Sequence, residues 1–272
     1  MMRAKHLSVA LGVALLALSG PMVAARDGVN ISRPSYLRNL VSAEKIEATS
    51  ALQYQDLTRQ AFQRQALVDD NDPQVRRLRR IAADLLPFTE KFNARSKDWK
   101  WEVNLLQSKQ INAFCMPGGK IAFFTGILDQ LRLTDDEVAM VMGHEIAHAL
   151  REHARERAAK STLTNLGALA VGVLVGGSVG DLARVGGGLM SLKFSRDDES
   201  EADLVGMELA ARAGYDPRSG ITLWQKMQAA SKGAPPAWFS THPSSKSRIQ
   251  YIESNLPDVM PLYTRAVDSK KR

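Results

Sequence analysis

Near the middle of the chain, residues Val141–His153 have the sequence VMGHEIAHALREH. Two histidines in it, His144 and His148, are four residues apart, so on a helix they lie one turn above each other and point the same way. The residues around them are small or apolar, whereas an exposed helix would more often carry Lys, Glu or Gln there. The stretch therefore predicts a buried helix with ionisable side chains, and such side chains need a reason to be buried.

The spacing fits the chemistry of a zinc centre. Two imidazoles one turn apart can occupy two corners of a tetrahedral Zn²⁺ site, and Glu145 is close enough to take a proton from a water that the metal activates. The pattern His-Glu-x-x-His alone is only moderately specific, and the alternative is a charged helix face with incidental histidines. The apolar neighbours favour the metal site.

The helix that carries this motif has a recognisable start. Residues Thr134–Glu137 predict a capping box, in which the Thr hydroxyl and the Glu carboxylate satisfy free backbone N–H groups. Apolar residues then follow at helical spacing: Val138, Val141, Met142, Ile146 and Ala149. The motif is thus predicted to lie in the middle of a helix, where its spacing has geometric meaning.

A catalytic zinc site usually has three protein ligands, so one more must come from elsewhere in the chain. In the metzincin arrangement it is a histidine six residues after His148, but Ala154 stands there and Arg151 replaces the required Gly. That arrangement is rejected. His153 is one residue too early and, if the helix continues, faces away from His144. We predict that His153 is solvated or lies near a helix cap.

A carboxylate on a second predicted helix is better placed. Glu199 and Asp203 are four residues apart, so they share one face beside an apolar stripe. Glu199 is the predicted third ligand, and Asp203 is predicted to accept the N–H of His144 and so fix its tautomer. Glu201 is the rival ligand, although it points about 200° away around the helix. An acidic first turn that complements the helix dipole is the other interpretation.

Together these motifs resemble one metallopeptidase family. HEIAH, followed by Glu-x-x-x-Asp in a Glu-x-Glu-Ala-Asp-x-x-Gly setting, is similar to family forty-eight, the gluzincin family of HtpX, Oma-type and CaaX prenyl proteases. Within it, the chain resembles exported bacterial members such as LoiP and the peptidase half of BepA. The resemblance extends roughly from Trp101 to Leu256.

The resemblance implies both a function and a site. It implies a zinc endopeptidase that holds one Zn²⁺ through His144, His148 and Glu199, with Glu145 as general base. Asp203 matches the family's carboxylate that contacts a ligating residue and does not bind the metal itself. The implied fold is a gluzincin-type (zincin) peptidase domain.

Residues Asn112, Ala113 and Phe114 resemble the Asn-Ala-Phe edge strand of that family, whose backbone pairs with an extended substrate. From the residues alone, the segment is a strand followed by a Pro-Gly turn and a second strand. An unpaired strand edge is a template for addition of a peptide. An ordinary hairpin packed on the core would use the same residues, so both interpretations stand.

Thr241-His242-Pro243 and Arg248 also resemble the family. His242 is predicted either to polarise a substrate carbonyl or to occupy the open zinc position in a resting state. Arg248 is predicted to stabilise a developing oxyanion. A structural His-Pro loop is the alternative.

Helical and strand patterns along the chain predict an α+β fold, mostly helical, with a small sheet beside the HExxH helix. The predicted helices outside the zinc site are Ala43–Val68, Pro73–Phe92, Pro217–Ser231 and Pro243–Asn255. The predicted strands are Trp99–Leu106, Ile111–Met116 and Lys120–Phe124.

Residues 1–25 have the outline of a signal peptide: a charged start, the twelve-residue apolar stretch Leu7–Leu18 and small residues before a cleavage point. No Cys lies near that point, so a lipid anchor is not expected, and an uncleaved membrane anchor is the alternative. If the relatives are a guide, the chain is exported to a periplasm. The rest is predicted to form a helical extension (26–98), a zinc peptidase core (99–256) and a C-terminal tail (257–272).

Charge and cysteine content add two expectations. The formal net charge is +7, and the densest basic cluster, Arg76–Arg80, lies in a helical pattern. We predict a solvated helix face there rather than contact with nucleic acid or anionic membrane. Cys115 is the only cysteine, so no internal disulfide is possible, and buried packing is its predicted role.

Residues Ser161–Gly180 contain no charge, and a Gly-rich run follows. A single membrane span here would put Glu199 on the opposite side of the membrane from His144 and His148. We predict instead a mobile flap over the zinc cleft that can touch apolar substrate or a membrane surface through 161–190. A packed core helix is the alternative.

The predicted substrates are unfolded or misassembled cell-envelope proteins, because an edge strand binds the backbone of an extended chain. This step rests on the family resemblance. A non-hydrolytic, chaperone-like holdase that uses the same groove is the alternative, and the intact Glu145 argues against it. No nucleic-acid motif accompanies the basic composition.

Overall fold

The computed structural model describes residues 27–161, 193–231, 236–243 and 247–271. Helices make up most of these residues, and a three-stranded sheet packs against them. The predicted α+β class, mostly helical with a small sheet beside the helix of the zinc motif, is confirmed.

The elements follow one another along the chain. The helices are α1 Ala43–Gln63, α2 Pro73–Leu85, α3 Thr125–Leu131, α4 Asp135–Leu150, α5 at 153–161, α6 Arg196–Arg212, α7 Ser219–Ala230, α8 Trp238–Thr241 and α9 Arg248–Lys270. The strands are β1 Glu102–Leu106, β2 Ala113–Met116 and β3 Lys120–Phe124. Short 3-10 turns occur at Tyr36–Leu40, Leu86–Phe88 and Ala94–Asp98.

β3 is the central strand of the sheet. It pairs in parallel with β1 and antiparallel with β2, so β2 is an edge strand. Gly118 and Gly119 turn the chain from β2 into β3 with φ angles of 83° and 80°, which glycine adopts without steric cost. Since β2 packs against α4, this edge of the sheet lies beside the helix of the zinc motif.

The two faces of the sheet meet different helices. Side chains alternate along β3, so Ile121 and Phe123 join the main core with α4, while Ala122 joins a smaller cluster with Tyr54 of α1. The sheet therefore lies between α1 on one side and the helices of the zinc motif on the other.

Both ends of helix α4 have a well-defined backbone structure. Thr134 and Glu137 form the predicted capping box, with each side chain bound to the backbone N–H of the other residue. Every residue from Glu137 to Leu150 is buried. The helix ends at Leu150, and Glu152 then adopts a left-handed conformation with a φ of 58°, which changes the direction of the chain.

Helices α4 and α6 approach closely where two glycines face each other. A Cβ atom on Gly206 would lie 2.7 Å from the backbone nitrogen of His144, and one on Gly143 would lie 2.8 Å from the carbonyl oxygen of Gly206. Because neither residue has a side chain, the two backbones touch. This contact brings the acidic start of α6 next to the histidines of α4.

We expect Gly206→Ala to lower the free energy of unfolding by about 1–3 kcal/mol, as overpacked cores do. The atoms that the new methyl group would meet are backbone atoms, which cannot rotate away. This cost outweighs the gain of about 1 kcal/mol from the higher helix propensity of Ala. Urea unfolding of the chelator-treated protein measures the change.

Gly220→Ala is the matched control in α7. Its Cβ would lie 3.0 Å from the terminal methyl of Met140, a flexible side chain that can move, so we expect stability close to wild type. Equal stability of wild type and Gly206→Ala would show that the α4–α6 contact is looser than the structure indicates.

Two helices end well before their predicted last residues. Helix α1 ends at Gln63 instead of Val68, and Gln65 has a left-handed φ of 55°. Helix α2 ends at Leu85 instead of Phe92 because Pro87 follows it and cannot continue the helical hydrogen bonding.

The last helix is much longer than its predicted range Pro243–Asn255. Helix α9 continues to Lys270 through Pro257 and Pro261, so the segment predicted as a tail is helical from its start to Lys270. Val259 and Leu262 are buried in the main core. Packing of this apolar face offsets the hydrogen bonds that the two prolines cannot donate.

The basic cluster lies on a helix face and the cysteine in the core, as predicted, whereas the absence of contact with nucleic acid or membrane stays a prediction. Arg77 and Arg80 both pair with Asp135, at 2.6 Å and 2.5 Å, and Arg79 pairs with Asp70 at 2.6 Å. The basic cluster is therefore an ion-paired helix face. Cys115 is buried in the core.

Among the described residues, none of the helices is both long and apolar enough to cross a membrane. The predicted signal peptide at 1–25 and nearly all of the predicted flap at 161–190 lie outside the described residues. The leader, the flap and the domain boundaries stay predictions.

Candidate metal centre

Four buried side chains from three parts of the chain converge on one point. In α4, the Nε2 atoms of His144 and His148 are 3.1 Å apart. Glu199, from α6, places its carboxylate oxygens 3.6 Å and 3.4 Å from those two nitrogens. His242, just after α8, places Nδ1 3.0 Å from Glu199 Oε1 and 3.4 Å from His144 Nε2. These four potential ligand atoms all lie within 4.8 Å of one another.

This donor set fits a zinc ion. Three imidazole nitrogens and one carboxylate oxygen are ligand types that tetrahedral Zn²⁺ accepts. Lone pairs that face one another in a buried space repel unless a proton or a cation lies between them. Glu145 supports the same conclusion, because its buried Oε1 has no hydrogen-bond partner among the described residues.

Burial and neighbouring charge set the proton state of the ligands. Burial lowers the pKa of His148 well below its ordinary value, so its imidazole is neutral. Burial acts to raise the pKa of Glu199, but its contacts with the three histidines and the charge of His144 outweigh burial and hold the pKa well below its ordinary value, so the carboxylate is charged. For His144 burial lowers the pKa, yet the hydrogen bonds to Asp203 and Glu199 raise it to about 9. A metal must displace that proton.

The carboxylate predicted to lie behind His144 is in place. Asp203 Oδ1 lies 3.1 Å from Nδ1 of His144, so the opposite ring nitrogen, Nε2, is free to face the cluster. Arg248 Nε donates to Asp203 Oδ2 at 2.7 Å, and its Nη1 donates to Glu199 Oε2 at 2.5 Å. The guanidinium also lies 3.7 Å from the centre of the Trp224 ring.

These contacts point to a different role for Arg248 from the one that the sequence suggested. An oxyanion partner must have donors aimed at the reacting carbonyl. The guanidinium of Arg248 instead pairs with Asp203 and Glu199, and it is buried. Its geometry favours a positioning role, in which it holds one ligand and the carboxylate behind another.

Half of the prediction for His153 was wrong: it lies near a helix cap, at the first residue of α5, but it is not solvated. His153 is 2% exposed rather than solvated, and it contacts His148 and Glu201. The prediction assumed that the helix continued past Leu150, but the left-handed Glu152 reverses the chain and returns His153 to the site. Glu201, the rival ligand, points away from the cluster, as its position around α6 predicted.

Glu145 is placed for proton transfer. It is 2% exposed, and its Oε1 lies 3.5 Å from Nε2 of His242. Burial raises its pKa, while the neighbouring His242 and His144 and a hydrogen bond from the backbone of Cys115 act to lower it. A carboxylate whose pKa is raised toward neutrality is well matched to work as a base.

The predicted substrate strand also borders the cluster. Asn112 accepts a hydrogen bond from Phe124 N–H through its carbonyl, whereas the Cys115 N–H turns to the other side and reaches Glu145. The free edge of β2 therefore faces the candidate site. The Asn112 side chain accepts from the Ala113 N–H at 3.1 Å, and the Phe114 ring packs on Tyr54, away from the cluster.

Sequence reasoning missed two aromatic side chains at the site. Phe194 stacks on the ring of His148 with 3.9 Å between centroids, and Trp238 lies 5.0 Å from His242 and 5.7 Å from His144. The Phe194 N–H donates to the carbonyl of Thr241 at 2.9 Å. A single aromatic residue outside a periodic pattern gives no sequence signal for such contacts.

Comparison with protein families agrees with this geometry. The model of peptidase family M48 matches residues 73–256, which include every side chain of the cluster. The chain belongs to peptidase family M48. The resemblance inferred from HEIAH and the downstream carboxylates is thereby confirmed.

Several named proteins are similar to part of the chain. The mitochondrial metalloendopeptidase OMA1 of Schizosaccharomyces pombe is 39% identical over 169 residues, which is 59% of this chain and 48% of that protein. Metalloprotease LoiP of Escherichia coli is 31% identical over 153 residues, 55% of this chain and 60% of LoiP. The beta-barrel assembly-enhancing protease of Escherichia coli is 29% identical over 178 residues, 60% of this chain and 36% of that protein. The match thus spans less than two thirds of each relative.

Proposed function

We propose that the chain is a zinc-dependent endopeptidase that hydrolyses unfolded or misassembled cell-envelope proteins. The observation that carries the proposal is the convergence of His144, His148 and Glu199, with Glu145 beside them. A cluster that only stabilised the fold would not need a buried carboxylate oxygen, Oε1 of Glu145, that has no hydrogen-bond partner among the described residues. Membership of a peptidase family supports the same reaction.

Different residues of the chain bind the metal, transfer the proton and position the ligands. His144, His148 and Glu199 would hold the metal, which when bound lowers the pKa of a water molecule and polarises the substrate carbonyl. Glu145 takes the proton of that water and passes it to the leaving amine. Asp203 holds the His144 ring, and Arg248 holds Asp203 and Glu199.

The position of β2 supports an extended polypeptide as substrate. Its edge faces Glu145, so a chain that adds to this edge would bring a peptide bond to the base. Of the three predicted substrate-binding residues, Ala113 has its backbone carbonyl on this edge, whereas Asn112 bonds Phe124 and Phe114 lies opposite Ala122 in the ladder with β3. Folded proteins rarely expose free strands, so the site favours unfolded segments. The name of the beta-barrel assembly-enhancing protease supports an envelope setting, and the predicted leader at 1–25 supports the periplasm.

Metal analysis and proteolysis together test the proposal. We expect the purified protein to contain one zinc per chain and to cleave unfolded casein. Treatment with a chelator should abolish cleavage, and added zinc should restore it. Cleavage that survives complete removal of metal would overturn the proposal. Binding of casein without cleavage by the zinc-loaded protein would favour the holdase alternative.

We expect His242→Ala to raise turnover several-fold. His242 Nδ1 shares the cluster with the three proposed ligands, so it occupies the position that a water or substrate needs. Initial rates of casein cleavage by zinc-loaded protein measure the effect. Ser240→Ala, at an exposed position of α8 two residues before His242, is the control and should match wild type. Slower cleavage by His242→Ala would instead assign His242 to stabilisation of the transition state.

A further inference from the structure

The ring of His148 is supported from the side opposite the metal cluster. Its Nδ1 lies 2.9 Å from Nδ1 of His153, and Nε2 of His153 lies 3.0 Å from Oε2 of Glu201. His153 is 2% exposed, so water does not compete for these contacts. A row of three side chains therefore begins at a proposed ligand and leads away from it.

Only one arrangement of protons satisfies this row with neutral rings. Glu201 is a carboxylate and only accepts, so the proton between it and His153 is on Nε2 of His153. A neutral His153 then accepts at Nδ1, so His148 donates to it from Nδ1. Nε2 of His148 therefore carries no proton and can face the metal cluster as a ligand.

The far end of the row is fixed by the N-terminal segment. Arg151 Nη2 donates to Glu201 Oε1 at 2.8 Å and to the carbonyl of Ser32 at 2.7 Å. The Ser32 hydroxyl donates to the same Glu201 oxygen at 3.1 Å. Glu201 is therefore held by two partners on one oxygen and by His153 on the other.

The two proposed histidine ligands are supported differently. His144 contacts its carboxylate, Asp203, directly, whereas His148 reaches Glu201 through the imidazole of His153. A hydrogen-bond acceptor behind a ligating histidine fixes the tautomer and the ring orientation. His148 has such an acceptor only because the chain reverses at Glu152.

We propose that His153, Glu201 and Arg151 form a positioning relay that fixes the tautomer and orientation of His148, and that Ser32 anchors its far end. The relay rests on the proposed function, since its purpose is to prepare His148 as a metal ligand. None of its members contacts the reacting atoms. Loss of the relay should weaken metal binding. The rate of hydrolysis should then fall because less of the protein holds a metal ion.

The zinc dissociation constant of the full mature chain, measured by competition with a chromophoric chelator, tests the relay. We expect His153→Ala and Glu201→Gln each to raise this constant by about 10- to 100-fold. His153→Asn should recover part of the loss, because its amide oxygen can still accept the proton of His148. Glu201→Gln keeps the volume of the side chain, so the test does not depend on whether His153→Ala folds.

Glu208→Gln is the matched control for Glu201→Gln. Glu208 is also on α6, is fully buried, and binds Arg212 at 2.7 Å and the Val29 N–H of the N-terminal segment at 2.8 Å. It lies nine residues after Glu199, or about 13 Å along the helix. We expect this variant to lose stability in urea but to keep the zinc dissociation constant of wild type.

A spectrum gives a readout that general destabilisation would not change. Wild type and Glu208→Gln loaded with cobalt(II) should have the same visible absorption bands, and Glu201→Gln should have shifted bands because the His148 ring turns. Wild-type zinc affinity and an unchanged cobalt spectrum in both Glu201→Gln and His153→Asn would overturn the relay and leave the proposed function intact. A wild-type protein that binds no zinc would overturn both.

Discussion

The Glu145→Gln protein should bind one zinc per chain and yet cleave unfolded casein about 10²- to 10⁴-fold more slowly than wild type, the range that general acid–base catalysis contributes. Gln has almost the same shape as Glu, so the buried site keeps its packing. It cannot take a proton from water or pass one to the leaving amine. The position of Glu145, beside the four potential ligand atoms but outside the set, is what separates these two outcomes.

Glu137→Gln is the control for this experiment. Glu137 is a second buried glutamate in α4, where it caps the helix and pairs with Lys226 at 2.6 Å. Gln can also complete a capping box, so this variant should cleave casein at close to the wild-type rate. Metal content by elemental analysis and initial cleavage rates are measured on all three proteins. A Glu145→Gln enzyme with near-normal turnover would show that another group is the base.

Local rules made much of the site predictable. The four-residue spacing of His144 and His148 fixes their common direction on any helix, and the capping box at Thr134 fixes where that helix starts. The same spacing placed Glu199 and Asp203 on one face of α6. Such features depend on residues within one or two turns, so the sequence contains all of the information.

Features that depend on contacts between distant segments were not predictable in this way. His153 was placed wrongly because one left-handed residue, Glu152, redirects the chain, and a non-glycine residue gives no warning of that conformation. The contact of Gly143 with Gly206 decides how near Glu199 comes to the histidines, but neither glycine signals its partner. The positioning role of Arg248 was also not predictable, because its partners Asp203 and Glu199 are more than forty residues away in the chain. The sequence had suggested a role in oxyanion stabilisation instead.

The length of α9 also could not be predicted from local sequence rules. Pro257 and Pro261 predict a helix end on local grounds, and the structure contains both inside the helix. Burial of Val259 and Leu262 against the core decides the outcome. Local propensity is a weak guide wherever tertiary packing offers a larger gain.

Glu199→Ala and Glu199→Gln should both lose zinc, with a dissociation constant raised by well over the roughly 100-fold limit expected for residues behind a ligand. Glu199 supplies the carboxylate among the four converging groups, and its negative charge offsets part of the charge of the metal. The Ala variant also leaves Arg248 without one of its two carboxylate partners in a buried site, so we expect its metal-free form to be less stable than wild type. The Gln variant keeps the side-chain volume and isolates the loss of the ligand.

Two further variants separate this assignment from its competitors. Asp197→Ala removes an exposed charge from the same first turn of α6, so it should leave zinc binding unchanged if Glu199 acts as a ligand rather than through the helix dipole. Glu201→Ala should weaken zinc binding only within the range of about 10- to 100-fold that a residue behind His148 can cause. The zinc dissociation constant should therefore rise most for the Glu199 variants, less for Glu201→Ala and not at all for Asp197→Ala. This order follows from the directions in which the three carboxylates point around α6. If Glu201→Ala lost more zinc than Glu199→Gln, the third ligand would be Glu201, and α6 would have to be rotated by about half a turn from the orientation in which Glu199 meets the histidines.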